Sequence, residues 1–469
     1  MSFSITLQQL THVLNRQGSP CELKVPIGIS PDSSIWSQSI QKIETDSRHV
    51  LSNRVFLALS GETFDGHDFV ASAIQNGAIA AIVAQSKVAE LARLDDVRAP
   101  LIAVPNPLTA YQAIANWWRH QCHAQIIAIT GSVGKTTTKE LIAAVLSQHG
   151  HVLKTQANYN NEIGVPKTLL ELEPTHDYAV VEMGMRAKGE IALLADVAQP
   201  DIAVITNVGT AHIGRLGSEE AIAQAKCELL SQLSPSAVAI LNAENSLLME
   251  TAQTVWHGKT VTFGLDMGDV TGSLAGTDTL CIEDERFPLP LPGRHHALNY
   301  LAAIAVADTL GLDWSGLIEG LTIELPSGRA QRYVLTNDIV ILDETYNAGV
   351  ESMIASLQLL ADTPGTRHIA VLGTMKELGD RSVELHTKVG QAAAKLGLDY
   401  LLILADPAES LALKSGAEGT PSECFDRPEA LTQRLREIIA PGDRLLFKAS
   451  RAVALDRVVD AIKRSSPLN

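Results

Sequence analysis

The chain has 469 residues, 46% hydrophobic and 19% charged, so it is long enough for more than one core, since single cores stop growing at roughly 250 to 300 residues. Its formal charge of −16 argues against the basic face that nucleic acid or an anionic membrane requires, and no apolar run approaches the ~20 residues of a bilayer span. Five scattered cysteines without a CxxC pair suit a reducing compartment without structural metal, and MSFSITLQQL lacks the basic and apolar segments of a secretion signal, so a cytoplasmic location is expected.

Up to about residue 120, short β-type runs, VFLALSG, AAIVA and LIAVP, are separated by Gly, Asp and Pro punctuation and predict a small α/β module. A helical stretch around AIANWWRH follows. From 125 onward apolar strands alternate with helical patterns: QIIAIT, the helix TTTKELIAAVLSQHG expected to end on Gly150, then YAVVEMG and DIAVITNVG. That rhythm predicts βαβ units and a parallel sheet. A break is expected near LPSGRAQR, at about residue 328. Beyond it IVILDE, HIAVLG, YLLILAD and RLLFKAS predict a second open sheet.

The loop GSVGKTT, Gly131 to Thr137, follows a strand and opens a helix. In that context backbone N–H groups and the positive helix end face an anion. Lys135 is placed to reach terminal phosphates and Thr136 to ligate Mg²⁺, with Ser132, Val133, Gly134 and Thr137 completing the loop. The general pattern asks for a glycine where Ile129 stands, so only the shorter GxxGKTT form is present. The bland alternative is a glycine turn with a solvated lysine.

Ligands of open α/β sheets lie beyond the carboxyl ends of strands. Glu182 closes one such strand and Asn207 another, with His212 five residues on. A glutamate after four apolar residues needs a partner, and a hard cation supplies one. In SEEAIAQAKCELLSQL, Ser218 can cap the helix, and Lys226 falls inside the stripe of Ile222, Leu229, Leu230 and Leu233. Its stem could lie on apolar surface with the ammonium snorkelling to water. The other reading is a carbamate formed with CO₂, which would be a metal-ligating carboxylate.

With TDSR (45–48), GSVGKTT, NYNNEIGVPKTLLEL, EMG, TNVGTAHIG, AKCELL, PGRHHALNYLAA, SGRAQR, LDETYNA, LGTMKELGD and FKASRAV, the chain resembles the Mur ligase family, the ATP-dependent amide-bond ligases of peptidoglycan precursor synthesis. The resemblance runs over nearly the whole length. NYNNEIGVP together with LGTMKELG is most similar to the branch that joins D-alanyl-D-alanine to a UDP-N-acetylmuramoyl-tripeptide.

The resemblance implies an α/β protein of three domains. These are a small UDP-sugar domain (1–120), a central P-loop ATPase domain with a mainly parallel sheet (121–328), and a Rossmann-like domain (329–469) receiving the incoming amine. It implies ATP and Mg²⁺, with Lys135 and Thr136 on triphosphate and metal, and Glu182 near the γ-phosphate. His212 and a carbamylated Lys226 would hold a second metal. Asn299 resembles the adenine contact, Arg329 the linker arginine and Asp343 the ribose-side aspartate. Asn160 and Asn161 would face the muramoyl substrate, and Thr45, Ser47 and Arg48 the uridine diphosphate end. A monomer is expected, without nucleic-acid partner or membrane insertion.

The sequence departs from the family pattern at His296, where relatives often have Asn, after LDETYNA, which lacks a following proline, and at Ala449, where the usual KGSR has Gly. Two alternatives are weighed. One is the relative that adds the third residue, but its usual DNPR tetrapeptide is absent. The other, from a different class, is a P-loop nucleotide switch.

Overall fold

The computed structural model describes residues 3–25, 34–50 and 52–465. The outermost ends of the expected first and third domains, and short stretches of the first, lie outside these residues.

The amino-terminal sheet has the spatial order Glu22–Lys24, Leu101–Val104, Ala78–Ala84, Arg54–Leu57, Lys42–Glu44. Its first strand is antiparallel and the others are parallel. Helix Pro107–Arg119 begins on an Asn106 cap with proline in its first turn, both start signals. It does not stay with that sheet. Trp118 Nε1 donates to the Leu172 carbonyl at 3.0 Å, and Arg119 pairs with Asp201 at 3.0 Å, so the helix rivets the first unit to the second.

The central sheet is parallel throughout, in the order Val270–Thr271, Lys259–Gly264, Val238–Asn242, Ile202–Ile205, Gln125–Thr130, Tyr178–Glu182, Val152–Lys154. Its strands are apolar in runs because both faces are covered. Ile127, Ile129, Val180 and Val204 pack under helices Lys135–Leu146 and Arg294–Thr309. Ile126, Ala128, Val181 and Ile205 face the helices of the other layer, Glu190–Ala198 and Glu219–Ser231 among them.

The carboxy-terminal sheet runs Gln331–Leu335, Ile339–Glu344, Asp443–Lys448, Arg367–Gly373, Tyr400–Leu404, Ser422–Phe425. Only its first strand is antiparallel. One apolar cluster continues from Leu10 through Val181 to Leu372, so the three sheets share a core layer.

Two features differ from expectation. The phosphate-loop helix stops at Leu146, capped by Ser147, rather than at Gly150. A three-stranded antiparallel sheet, Ser273–Leu274, Thr279–Ile282 and Glu285–Pro288, interrupts the βαβ rhythm. Its strands are too short and too polar for period-two alternation to stand out.

Candidate active site

The strand Gln125–Thr130 lies between Ile202–Ile205 and Tyr178–Glu182. Their carboxyl ends therefore open side by side, and residues 131–137, Glu182 and Thr206–Asn207 meet there although they are far apart in sequence.

The loop is held in shape from the Thr206 side. Val133 N donates to Asn207 Oδ1 at 3.0 Å, Asn207 Nδ2 returns a bond to the Val133 carbonyl at 3.0 Å, and Thr206 Oγ1 donates to that carbonyl at 2.6 Å. Gly134 has φ +84°, and a Cβ there would stand 2.7 Å from Asn299 Oδ1, so glycine is required both by the backbone and by the neighbour. Lys135 Nζ is folded back onto the Gly131 carbonyl at 2.6 Å. Burial lowers its pKa, partly opposed by Glu182.

Glu182 is buried, and both carboxylate oxygens are engaged. Thr136 Oγ1 donates to Oε2 at 2.9 Å and Asn160 Nδ2 to Oε1 at 2.8 Å, while Glu182 N donates to Thr155 Oγ1. Asn161 turns to its own backbone, accepting from Gly164 N at 2.9 Å. A cavity of about 830 Å³ opens above, lined by the loop, Glu182, Asn160, Asn161, His212 and Asn299, and from the carboxy-terminal unit by Arg329, Glu344, Tyr346, Glu351, Glu377 and Lys448.

Arg329 stacks on the Tyr346 ring at 3.9 Å, and its buried Nε has no hydrogen-bond partner among the described residues. A buried guanidinium nitrogen without an acceptor is costly, and an anion in the cavity would supply one. Lys448 lies 3.5 Å from Glu344, and burial lowers its pKa. His295, His296 and Glu344 bring ligand atoms within 4.8 Å of one another, a grouping invisible in the sequence because Glu344 comes from another unit.

Lys226 is 1% exposed and does not line the cavity. The snorkelling expectation therefore fails, because the side chain is enclosed by the protein instead of reaching water. Burial pushes its pKa well below the lysine range, with Lys135 adding repulsion. A lowered pKa favours the neutral, nucleophilic amine, which is the form that reacts with CO₂. His212 is partly exposed and its Nδ1 meets the Glu377 carboxylate in a close contact without hydrogen-bond geometry.

The oxygens of Thr136 and Glu182 are the hard donors that Mg²⁺ takes, so this part of the site fits the ion. An unmodified amine at Lys226 does not; a carbamate would.

Other expected positions fall differently. Asp343 is buried and does not line the cavity, because its Oδ1 accepts from Thr345 N at 3.0 Å and from Thr345 Oγ1 at 2.7 Å. Burial raises its pKa. Its neighbour Glu344 faces the cavity instead. Arg48 is exposed, forked onto Asp46 at 2.9 and 2.7 Å, and borders a second cavity with Lys42, Glu44, His49, Arg54 and Lys167, whereas Thr45 and Ser47 do not line it. Sequence reasoning missed Glu351, which accepts from Thr210 N at 2.7 Å and ties the third unit to the central one. An acidic residue in the first turn of helix Val350–Asp362 was the available signal, and it reads equally as a dipole partner.

Family models match three stretches: Mur ligase family, catalytic domain, over 39–119; Mur ligase middle domain over 129–307; and Mur ligase, glutamate ligase domain, over 328–451. The UDP-N-acetylmuramoyl-tripeptide–D-alanyl-D-alanine ligase of Synechocystis sp. is 56% identical over 91% of this chain and 93% of its own. The ligase of the same name from Escherichia coli is 35% identical over 98% and 99%. Among solved structures, MurF from Acinetobacter baumannii superposes with a TM-score of 0.86 at 31% identity, covering 99% of both chains. MurF from Thermotoga maritima, crystallised with ADP, gives 0.80 at 30%, covering 90% and 97%. The chain is a member of the Mur ligase family.

Proposed function

We propose that the chain is an ATP-dependent ligase that joins D-alanyl-D-alanine to UDP-N-acetylmuramoyl-tripeptide with release of ADP. The observation that carries this reading is the cavity built jointly by the phosphate loop, Glu182 and the carboxy-terminal Arg329, because it lets a nucleotide and an acyl acceptor meet between two units.

A carboxylate is a poor electrophile, so the peptide's terminal carboxylate attacks the γ-phosphorus, ADP leaves, and the dipeptide amine displaces phosphate from the acyl phosphate. The chain's part is positioning and charge compensation. Backbone N–H groups of 131–137 and the helix end cradle the phosphates. Lys135 exchanges the Gly131 carbonyl for a phosphate oxygen, and Arg329 offers its Nε, which has no hydrogen-bond partner among the described residues. Asn160 holds Glu182 in place from the peptide side, and Asn299 packs beside Gly134 toward the base. Mg²⁺, when bound by Thr136 and Glu182 and by His212 with carbamylated Lys226, supplies the positive charge that offsets the repulsion between triphosphate and carboxylate.

In this reading residues 1–120 take the UDP-sugar, with Thr45, Ser47 and Arg48 at its diphosphate end, 121–328 take ATP, and 329–469 take the amine. Asp343 acts on the ribose side through the turn it braces. The enzyme works as a monomer in the cytoplasm; no helix among the described residues is long and apolar enough to cross a membrane.

Incubating protein, ATP and tripeptide precursor with hydroxylamine tests the chemistry. The hydroxamate is expected, and ADP release without any trapped acyl species counts against the acyl phosphate. ADP release that ignores the dipeptide and the peptide alike would restore the nucleotide switch.

A further inference from the structure

Two residues that are not glycine take the left-handed backbone region and face each other across the boundary between the central and carboxy-terminal units: His212 at φ +66° and Glu377 at φ +65°. Such conformations persist where the surroundings over-determine them, and they gather at functional sites. Here the surroundings are each other. His212 Nδ1 meets the Glu377 carboxylate, and the Glu377 carbonyl accepts from Gly214 N at 3.0 Å. A Cβ on Gly214 would stand 2.5 Å from Gly379 N, so the two backbones touch with no room for a side chain.

Elsewhere on this boundary Glu351 accepts from Thr210 N at 2.7 Å, while the other charged pairs are loose. Arg215 reaches Glu377 only at 4.0 Å, and Arg381 reaches Glu219 at 3.9 Å. His212, a residue of the reaction cavity, is met from a loop of the other unit by Glu377. Imidazole has two nitrogens, and what holds one decides the tautomer and orientation of the other. With Nδ1 turned to Glu377, Nε2 has no hydrogen-bond partner among the described residues. A carboxylate on one nitrogen and a cation on the other is the arrangement that fixes a metal-binding histidine.

We propose that Glu377 is a positioning residue, carried by the carboxy-terminal unit, that orients His212 toward Mg²⁺ only when the two units are together. Metal affinity and closure are then the same equilibrium: the ion draws the units together as strongly as their contact tightens the ion. The inference rests on the assignment of His212 to a metal under Proposed function.

The test uses the full chain and two variants. In Glu377→Gln the side chain keeps its size and loses its charge; in Arg381→Ala a peripheral pair across the same boundary is removed while His212 is untouched. Small-angle scattering in the presence of ADP follows contraction of the molecule as Mg²⁺ is added, and ADP release with both peptides follows activity. For Glu377→Gln the Mg²⁺ concentration at half-effect is expected to rise about tenfold in both readouts. The Michaelis constant for D-alanyl-D-alanine should stay unchanged. For Arg381→Ala the Mg²⁺ requirement should stay within about twofold.

An unchanged Mg²⁺ requirement in Glu377→Gln overturns the proposal. So does an equal rise in Arg381→Ala, which would mean that the boundary matters and the histidine's orientation does not, or a wild type whose scattering ignores Mg²⁺. Wild-type protein that releases no ADP with the two peptides sinks the functional reading itself, a separate result.

Discussion

The Thr136 hydroxyl donates to Glu182 Oε2 at 2.9 Å, joining the first turn of the phosphate-loop helix to the end of the neighbouring strand. This hydroxyl and this carboxylate are the two oxygens an ion must separate and take. Glu182→Gln keeps the size and the bond to Asn160 while removing the charge. Its expected effect is a loss of about 100-fold in turnover with the fold intact, in line with removing one preorganised electrostatic group. Steady-state ADP release beside a thermal melt checks this; turnover within a few-fold of wild type would take Glu182 out of the site.

Lys226 separates two accounts of one buried amine. Lys226→Ala should abolish ligation, and a short-chain carboxylic acid added to the variant should restore part of it by standing in for the lost carbamate. A fully active alanine variant would mean that the side chain only fills space. Lys226→Met should be more stable than wild type measured free of CO₂, because a desolvated amine is replaced by an apolar side chain of similar length. Melting curves of the two proteins give that comparison.

At Gly134 an alanine meets two obstacles, a left-handed backbone and Asn299 Oδ1 at 2.7 Å. The backbone alone costs about 1 to 2 kcal/mol. Gly134→Ala should weaken nucleotide binding more than tenfold by pushing Asn299 aside, with little change in peptide affinity. Calorimetric titration with ADP reads this directly, and wild-type affinity would show that the loop can adapt.

Arg329→Ala removes the guanidinium whose Nε has no acceptor among the described residues. Charged hydrogen bonds contribute about 1.5 to 3 kcal/mol, so the Michaelis constant for ATP should rise by roughly 10- to 100-fold. Arg329→Lys should recover little, since an ammonium neither forks nor stacks on Tyr346. Full recovery by lysine would reduce the role to bulk charge.

Stability should fall on the acid side through His386. It is fully buried, with Nε2 accepting from Met375 N at 2.9 Å and Nδ1 on the Ser382 carbonyl at 2.7 Å, and burial lowers its pKa from 6.5. The unfolded chain then binds more protons than the folded one below about 6.5, so stability is complete above that pH and is lost as pH falls below it. Melting temperatures between pH 7.5 and 5 should drop for wild type and less steeply for His386→Gln. Parallel slopes would place the acid sensitivity elsewhere.

Local chemistry made much of this protein readable in one dimension. GSVGKTT between an apolar strand and a helix favours a loop with its N–H groups facing an anion over a plain glycine turn, before anything is known of its surroundings. Alternating apolar runs and amphipathic helices dictate parallel sheets because each strand must be covered on both faces. Family resemblance then placed Glu182, His212, Lys226 and Arg329 in a single reaction.

What the chain order could not hold is which ends of which strands lie together, and which unit leans on which. Asp343 and Glu344 are adjacent in sequence, yet strand alternation turns one into its own turn and the other into the cavity. Lys226 looked like a snorkelling side chain until helix packing closed over it. Glu377 became a partner of His212 only because a glycine contact brings two distant loops within van der Waals range. Each of these outcomes was decided by burial and by contacts between segments more than a hundred residues apart, or by the packing of whole layers, which no local pattern encodes.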